Sequence, residues 1–108
     1  MALSKNEVIK IVNSFLESLR QRHDVREAYL FGSFPRGRTR DYSDVDLAVV
    51  LGNLEKPTDS PFDEAFQIFH EAQEYNSILE VVCFDQEEFD QDGGALVRRI
   101  KKEGIKLI

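Results

Sequence analysis

The sequence predicts a small α/β (α+β) domain in which a mixed β-sheet is covered by helices on one face. Three observations carry this. Two stretches, from Val8 to Leu19 and from Phe62 to Ala72, repeat apolar residues at the i, i+3, i+4 spacing of a helix with one buried stripe. Three runs, at 25–31, 45–51 and 78–84, are rich in aliphatic or aromatic residues and short enough for strands. Helical and strand signals alternate along 108 residues, 42% of them apolar. That is enough for one core and one domain over 1–108, without disulfides or structural metal.

The first helix opens at Ser4-Lys5-Asn6-Glu7, a capping box in which Ser4 and Glu7 satisfy each other's free backbone N–H groups. Val8, Ile11, Val12, Phe15, Leu16 and Leu19 form its inner stripe, and the polar run 21–24 ends it. The first strand, Val25 to Phe31, runs into Gly32-Ser33. The arginine-rich segment to Ser43 has room for one short helix opening at Ser33. Val45 to Leu51 is almost unbroken in aliphatic residues, as expected of a strand covered on both faces. A loop with two prolines and a glycine follows over 52–61. Phe62, Ala65, Phe66, Phe69 and Ala72 mark the second long helix, whose phenylalanines are core or a face for a partner. Ile78 to Phe84 is the third strand. Gly93-Gly94 precedes a last helix with Leu96, Val97 and Ile100 inward, Gly104 stands at its C′ position, and 105–108 adds a short strand.

Composition narrows the function classes. The formal net charge is −6 and the isoelectric point near 4.9, which argues against a general nucleic-acid coat. A single cysteine, Cys83, allows no intrachain disulfide and reads as a small apolar residue. No apolar run nears the ~20 residues of a membrane helix, and the N-terminus lacks a signal-peptide core. A cytoplasmic protein with no membrane partner is the expectation.

The chemistry concentrates between Gly32 and Leu47. Asp44 and Asp46 stand two apart at the start of a strand, so alternation puts both carboxylates on one side. Two adjacent like charges call for a cation, and hard divalent ions completed by water or phosphate are the usual answer. Glu80 lies mid-strand in an apolar run and needs a partner there. If its strand neighbours that of Asp46, the three acids share a two-metal site. Upstream, Gly32-Ser33 delivers backbone N–H groups and close approach, and Arg36, Arg38 and Arg40 bring guanidinium forks suited to phosphate oxygens. Cations at one end and anion donors at the other suit a nucleoside triphosphate with magnesium.

Gly32-Ser33, ten residues, then Asp44-Val45-Asp46 resembles the signature of the DNA polymerase β-like nucleotidyltransferase superfamily, in its minimal (MNT) branch. The leading helix, Arg36-Gly37, Ser43, the third-strand acid and the closing helix also match, so the resemblance covers nearly the whole chain. It implies transfer of a nucleoside monophosphate, AMP from ATP, to a hydroxyl, with pyrophosphate leaving. It implies two Mg2+ ions on Asp44 and Asp46, a third acid at Glu80 for the metal and the acceptor hydroxyl, and phosphate binding by Gly32, Ser33 and Arg36. It also implies a partner: minimal proteins of this type resemble antitoxins paired with a small all-helical HEPN toxin, whose tyrosine is the acceptor. Two departures stand out. Glu80 replaces the more frequent aspartate and carries its carboxylate outward by about one C–C bond. Pro35 replaces alanine, which a first helical turn tolerates.

Other candidates have plainer readings. Arg38 and Arg40 suit a solvated loop, and Arg98, Arg99, Lys101 and Lys102 suit a helix C-terminus. His23 and His70 are read as surface residues. The rival to catalysis is a binding module that occludes a helical partner stoichiometrically, which would not need Gly32, Ser33, Asp44 and Asp46 together. Two divalent ions would bring the formal charge from −6 to −2, so a nucleic-acid acceptor stays open. Oligomeric state is not legible.

Overall fold

The computed structural model describes residues 5–32, 45–52, 64–91 and 94–108. The order is α1 (Lys5–Arg20), β1 (Val25–Phe31), β2 (Val45–Leu51), α2 (Glu64–Tyr75), β3 (Leu79–Asp85), α3 (Gln86–Asp90), α4 (Ala95–Glu103) and β4 (Ile105–Lys106). Ser4 of the capping box and the short helix expected at Ser33 lie outside the described residues.

The four strands form one sheet in the order β3-β2-β1-β4. β1 is antiparallel to both neighbours, whereas β2 and β3 run parallel. Parallel neighbours need a crossover, and α2 lies between them in sequence. The sheet is therefore mixed, as predicted.

Alternation along the strands builds two apolar layers. Ala28, Leu30, Leu47, Val49, Leu79 and Val81 point to one face and pack with Val12, Phe15 and Leu19 of α1 and Ile68 and Ala72 of α2. Tyr29, Ala48, Val50 and Phe84 point to the other, where Phe89 of α3 and Val97 and Ile100 of α4 cover them. This explains why β2 is almost continuously aliphatic: both of its faces are buried. The helical cover expected on one face is present in α1 and α2. The opposite face carries two further helices, and the apolar cluster there stops short of Asp46 and Glu80.

One local reading is narrowed and two change. In α2 the buried residues are Ile68 and Ala72, whereas Phe66 and Phe69 are 40% and 41% exposed. Helix α3 was not expected: five residues with one apolar side chain give no period to detect. Gly104 has φ −72° and ψ 154°, so it is extended rather than left-handed. Its value is close approach, because a methyl group there would press on the Ile100 and Leu30 carbonyl oxygens. The missing Cβ lets α4 turn directly into β4 beside β1.

Candidate active site

β1 ends at Phe31, and Gly32 follows with φ +81°, a backbone state that favours glycine. Across the antiparallel ladder Phe31 pairs with Asp46. Across the parallel ladder Asp46 pairs with Glu80. The sheet thus lines up the end of β1, the second residue of β2 and the second residue of β3. Strand neighbours lie about 4.8 Å apart, and residues in register point to the same face. Asp46 and Glu80 therefore project side by side, on the face of Tyr29, Ala48 and Val50. The adjacency of the two strands, a condition in the sequence reading, holds.

Gly32 has a second reason to be glycine. A Cβ there would collide with Oδ2 of Asp46. The carboxylate leans over the bare Cα, so turn and acid are fitted to each other. Asp46 is half-buried and Glu80 exposed. Phe31, half-buried and packed against the second apolar cluster, forms the wall on the β1 side. Phe31 was not singled out from sequence, although its place as the last strand residue before Gly32 was the available signal.

Of the predicted site residues, the fold brings together Gly32, Asp46 and Glu80. Ser33, Arg36 and Asp44 lie outside the described residues, as do Arg38 and Arg40. Among the described residues no group of three or more His, Cys, Asp or Glu side chains forms a metal cluster. Two carboxylates in register offer only oxygen donors, and that donor chemistry fits magnesium rather than a soft metal.

The far end of the sheet uses its charges differently. His23, read from sequence as a surface residue, has a side chain only 10% exposed. Its Nδ1 lies 2.6 Å from Glu64 and its Nε2 3.2 Å from Glu71, while the Arg22 guanidinium donates to Glu71 at 3.0 Å. This clamp ties the end of α1 to α2. On the other face, the Tyr29 hydroxyl donates to Glu27 at 2.6 Å and the Gln86 amide donates to it at 2.8 Å. Burial alone would raise the Glu27 carboxyl, but those hydrogen bonds and the Lys106 ammonium outweigh it and hold the group below its ordinary value. Burial, then the Glu27 hydrogen bond and charge, push the Tyr29 hydroxyl up to about 12.

A family model described as nucleotidyltransferase domain matches residues 12–107. The protein adenylyltransferase MntA of Thermococcus cleftensis is 40% identical over 47 residues, 44% of this chain and 48% of that protein. The matched part is thus under half the length of that relative. Among solved structures, one described as a nucleotidyltransferase from Sulfolobus solfataricus superposes with a TM-score of 0.65 at 18% identity. It covers 94% of this chain and 80% of that one. A toxin–antitoxin structure with AMP-PNP gives a TM-score of 0.55 at 18% identity, over 98% of this chain and 73% of that one. At such identity the structures speak for the fold. The family model spans nearly all of the sequence, from inside α1 to β4, and on that basis the chain belongs to the nucleotidyltransferase domain family.

Proposed function

We propose that this chain is a Mg-dependent protein adenylyltransferase that moves AMP from ATP onto a hydroxyl of a partner, a tyrosine of a small helical HEPN-type toxin, and thereby acts as a cytoplasmic antitoxin. The observation that carries this reading is the register of Asp46 and Glu80 beside the Gly32 turn. Family membership supports the reaction type. The adenylyltransferase name of the archaeal relative and the toxin–antitoxin structure with AMP-PNP support the nucleotide and the class of partner.

In this reading the acceptor oxygen attacks the α-phosphorus, the bond from that phosphorus to the bridging oxygen breaks, and pyrophosphate leaves. Glu80, the exposed acid of the pair, orients the acceptor hydroxyl and receives its proton. Gly32, Ser33 and Arg36 hold the departing phosphates through backbone N–H groups and a guanidinium fork. Asp44, Asp46 and Glu80 would hold Mg2+, which when bound supplies positive charge to the phosphate oxygens. The half-burial of Asp46 against Gly32 keeps one acid fixed while Glu80 faces the acceptor.

The test is transfer of label from α-labelled ATP to a purified HEPN-type partner. Asp46→Asn is expected to lower the transfer rate by about 1000-fold, the upper range for loss of one group that stabilises transition-state charge. Transfer at the wild-type rate in that variant would overturn the assignment. A second reading, a partner-binding module with little catalysis, is favoured by the exposure of Phe66 and Phe69. Under it, Asp46→Asn would neutralise the toxin as well as the wild type does.

A further inference from the structure

Charge is segregated along this chain. From Pro57 to Val97 there is no lysine or arginine, against eleven aspartates and glutamates. That segment supplies α2, β3 and α3. β3 is an edge strand, with α2 packed on one sheet face and α3 on the other. One whole side of the domain is therefore built from a segment without Lys or Arg.

The same side carries the exposed apolar groups. Of the five large hydrophobic side chains exposed among the described residues, Phe66, Phe69 and Tyr75 belong to α2 and Val82 to β3. Phe66, Phe69 and Gln73 share one stripe of α2 at i, i+3 and i+7. The Gln73 amide donates to the Leu79 carbonyl, so this stripe faces the β3 edge. The opposite flank of α2 meets α1, through Glu64 and Glu71 on His23 and through Tyr75 on Phe15 and Ser14. The ring of His70 packs edge-on against Phe66 at 4.4 Å between centroids, and a shallow hollow opens there, bounded also by Gln67, Glu71 and Glu74. An aromatic patch rimmed by acids, of which Glu71 already pairs with Arg22, is the complement of an apolar side chain flanked by cations.

We infer that the α2–β3 side is a docking surface for a basic protein partner, one that seats an apolar side chain on Phe66 and Phe69 and sets lysines or arginines against the surrounding acids. A second copy is a poor occupant for a two-fold contact through this side, because two acidic surfaces would face each other. The inference deepens the reading of the chain as a partner-modifying enzyme and rests on it only for what the partner does afterwards. The surface includes the edge strand that carries Glu80, although Glu80 itself projects from the sheet face opposite α2.

Three synthetic helical peptides test this with the full chain and no nucleotide, so that failure of docking and failure of transfer remain separate results. The first has leucines at i, i+3 and i+7 with flanking lysines, the second replaces the lysines with glutamates, and the third replaces the leucines with serines. Fluorescence anisotropy is expected to show the first binding at least tenfold more tightly than the other two. Phe69→Ser and Glu74→Lys are each expected to weaken it by tenfold or more, with circular dichroism unchanged. Equal binding of the lysine and glutamate peptides, no binding of any, or wild-type affinity in both variants would overturn the inference. Light scattering that shows a dimer abolished by Phe69→Ser would assign the patch to a second copy and overturn it too. Lower thermal stability of Phe69→Ser with unchanged peptide affinity would do the same, by giving the patch to the chain's own residues 53–63.

Discussion

The two ends of the sheet handle carboxylates in opposite ways. At the far end acids are matched to nearby donors: Glu27 accepts from Tyr29 and Gln86, and Glu64 and Glu71 clamp His23. At the other end the ladder puts Asp46 and Glu80 shoulder to shoulder and fits Asp46 over a glycine. The first arrangement lowers the energy of the folded chain by satisfying polar groups that burial would otherwise penalise. The second sets two carboxylates in register on one face, oxygen donors of the kind a divalent cation takes. In the proposed function, stability is concentrated at one end and chemistry at the other, and substitutions should separate the two readouts.

The sharpest separation is expected at Asp46, where transfer collapses and the fold holds. Glu80→Gln should lower transfer by roughly 100-fold, since it removes one charge and one proton acceptor while keeping the shape, with the melting temperature unchanged. Full activity there would leave Glu80 a structural residue. Gly32→Ala should act on both readouts. The positive φ costs about 1–2 kcal/mol for an L-residue, and the added methyl displaces the Asp46 carboxylate. A denaturant titration and a transfer assay should therefore both move, with transfer down about tenfold. His23→Ala should move stability alone, by roughly 1–2 kcal/mol, because it removes the imidazole that bridges two glutamates of α2.

The smallest expected effect, about 1 kcal/mol, is that of Tyr29→Phe, which removes one hydrogen bond to Glu27. Its pH signature is distinctive. The folded protein keeps the Tyr29 proton up to about 12, whereas the unfolded chain releases it near 10. The unfolded state binds fewer protons across that interval, so the tyrosine's contribution is present below pH 10 and falls away as pH rises through about 12. Tyr29→Phe should lack this component in urea titrations between pH 9 and 12, with transfer at neutral pH unchanged. A change in transfer would break the separation between the two ends.

Much of this was legible in the sequence because it rests on period. Strand β2 announced itself by aliphatic residues on both faces, and the spacing of Val8, Val12, Phe15 and Leu19 gave α1 its orientation. An acid inside an apolar strand marked Glu80 as a candidate, and the adjacency of β2 and β3, a condition in the sequence reading, sets it beside Asp46. The phase of α2 was not legible. Ala65, Phe66, Ile68, Phe69 and Ala72 spread over nearly half the helix circumference, and hydrophobicity alone does not say which part is covered. The neighbours decide it: α1 and the strands take Ile68 and Ala72 and leave the phenylalanines outside. His23 was misread for a related reason. Its partners Glu64 and Glu71 lie more than forty residues away, and no local pattern links them.

The parallel ladder between β2 and β3 also has a consequence for how errors in folding are handled. Because side chains alternate, a slip of β3 by one residue would swing Glu80 inward among Leu47 and Ile68 and turn Leu79 out to water. Such a chain would lose its acid pair and its core packing in the same step. A misregistered chain is therefore expected to be both inactive and poorly folded. Activity per folded molecule should stay constant across preparations of very different yield.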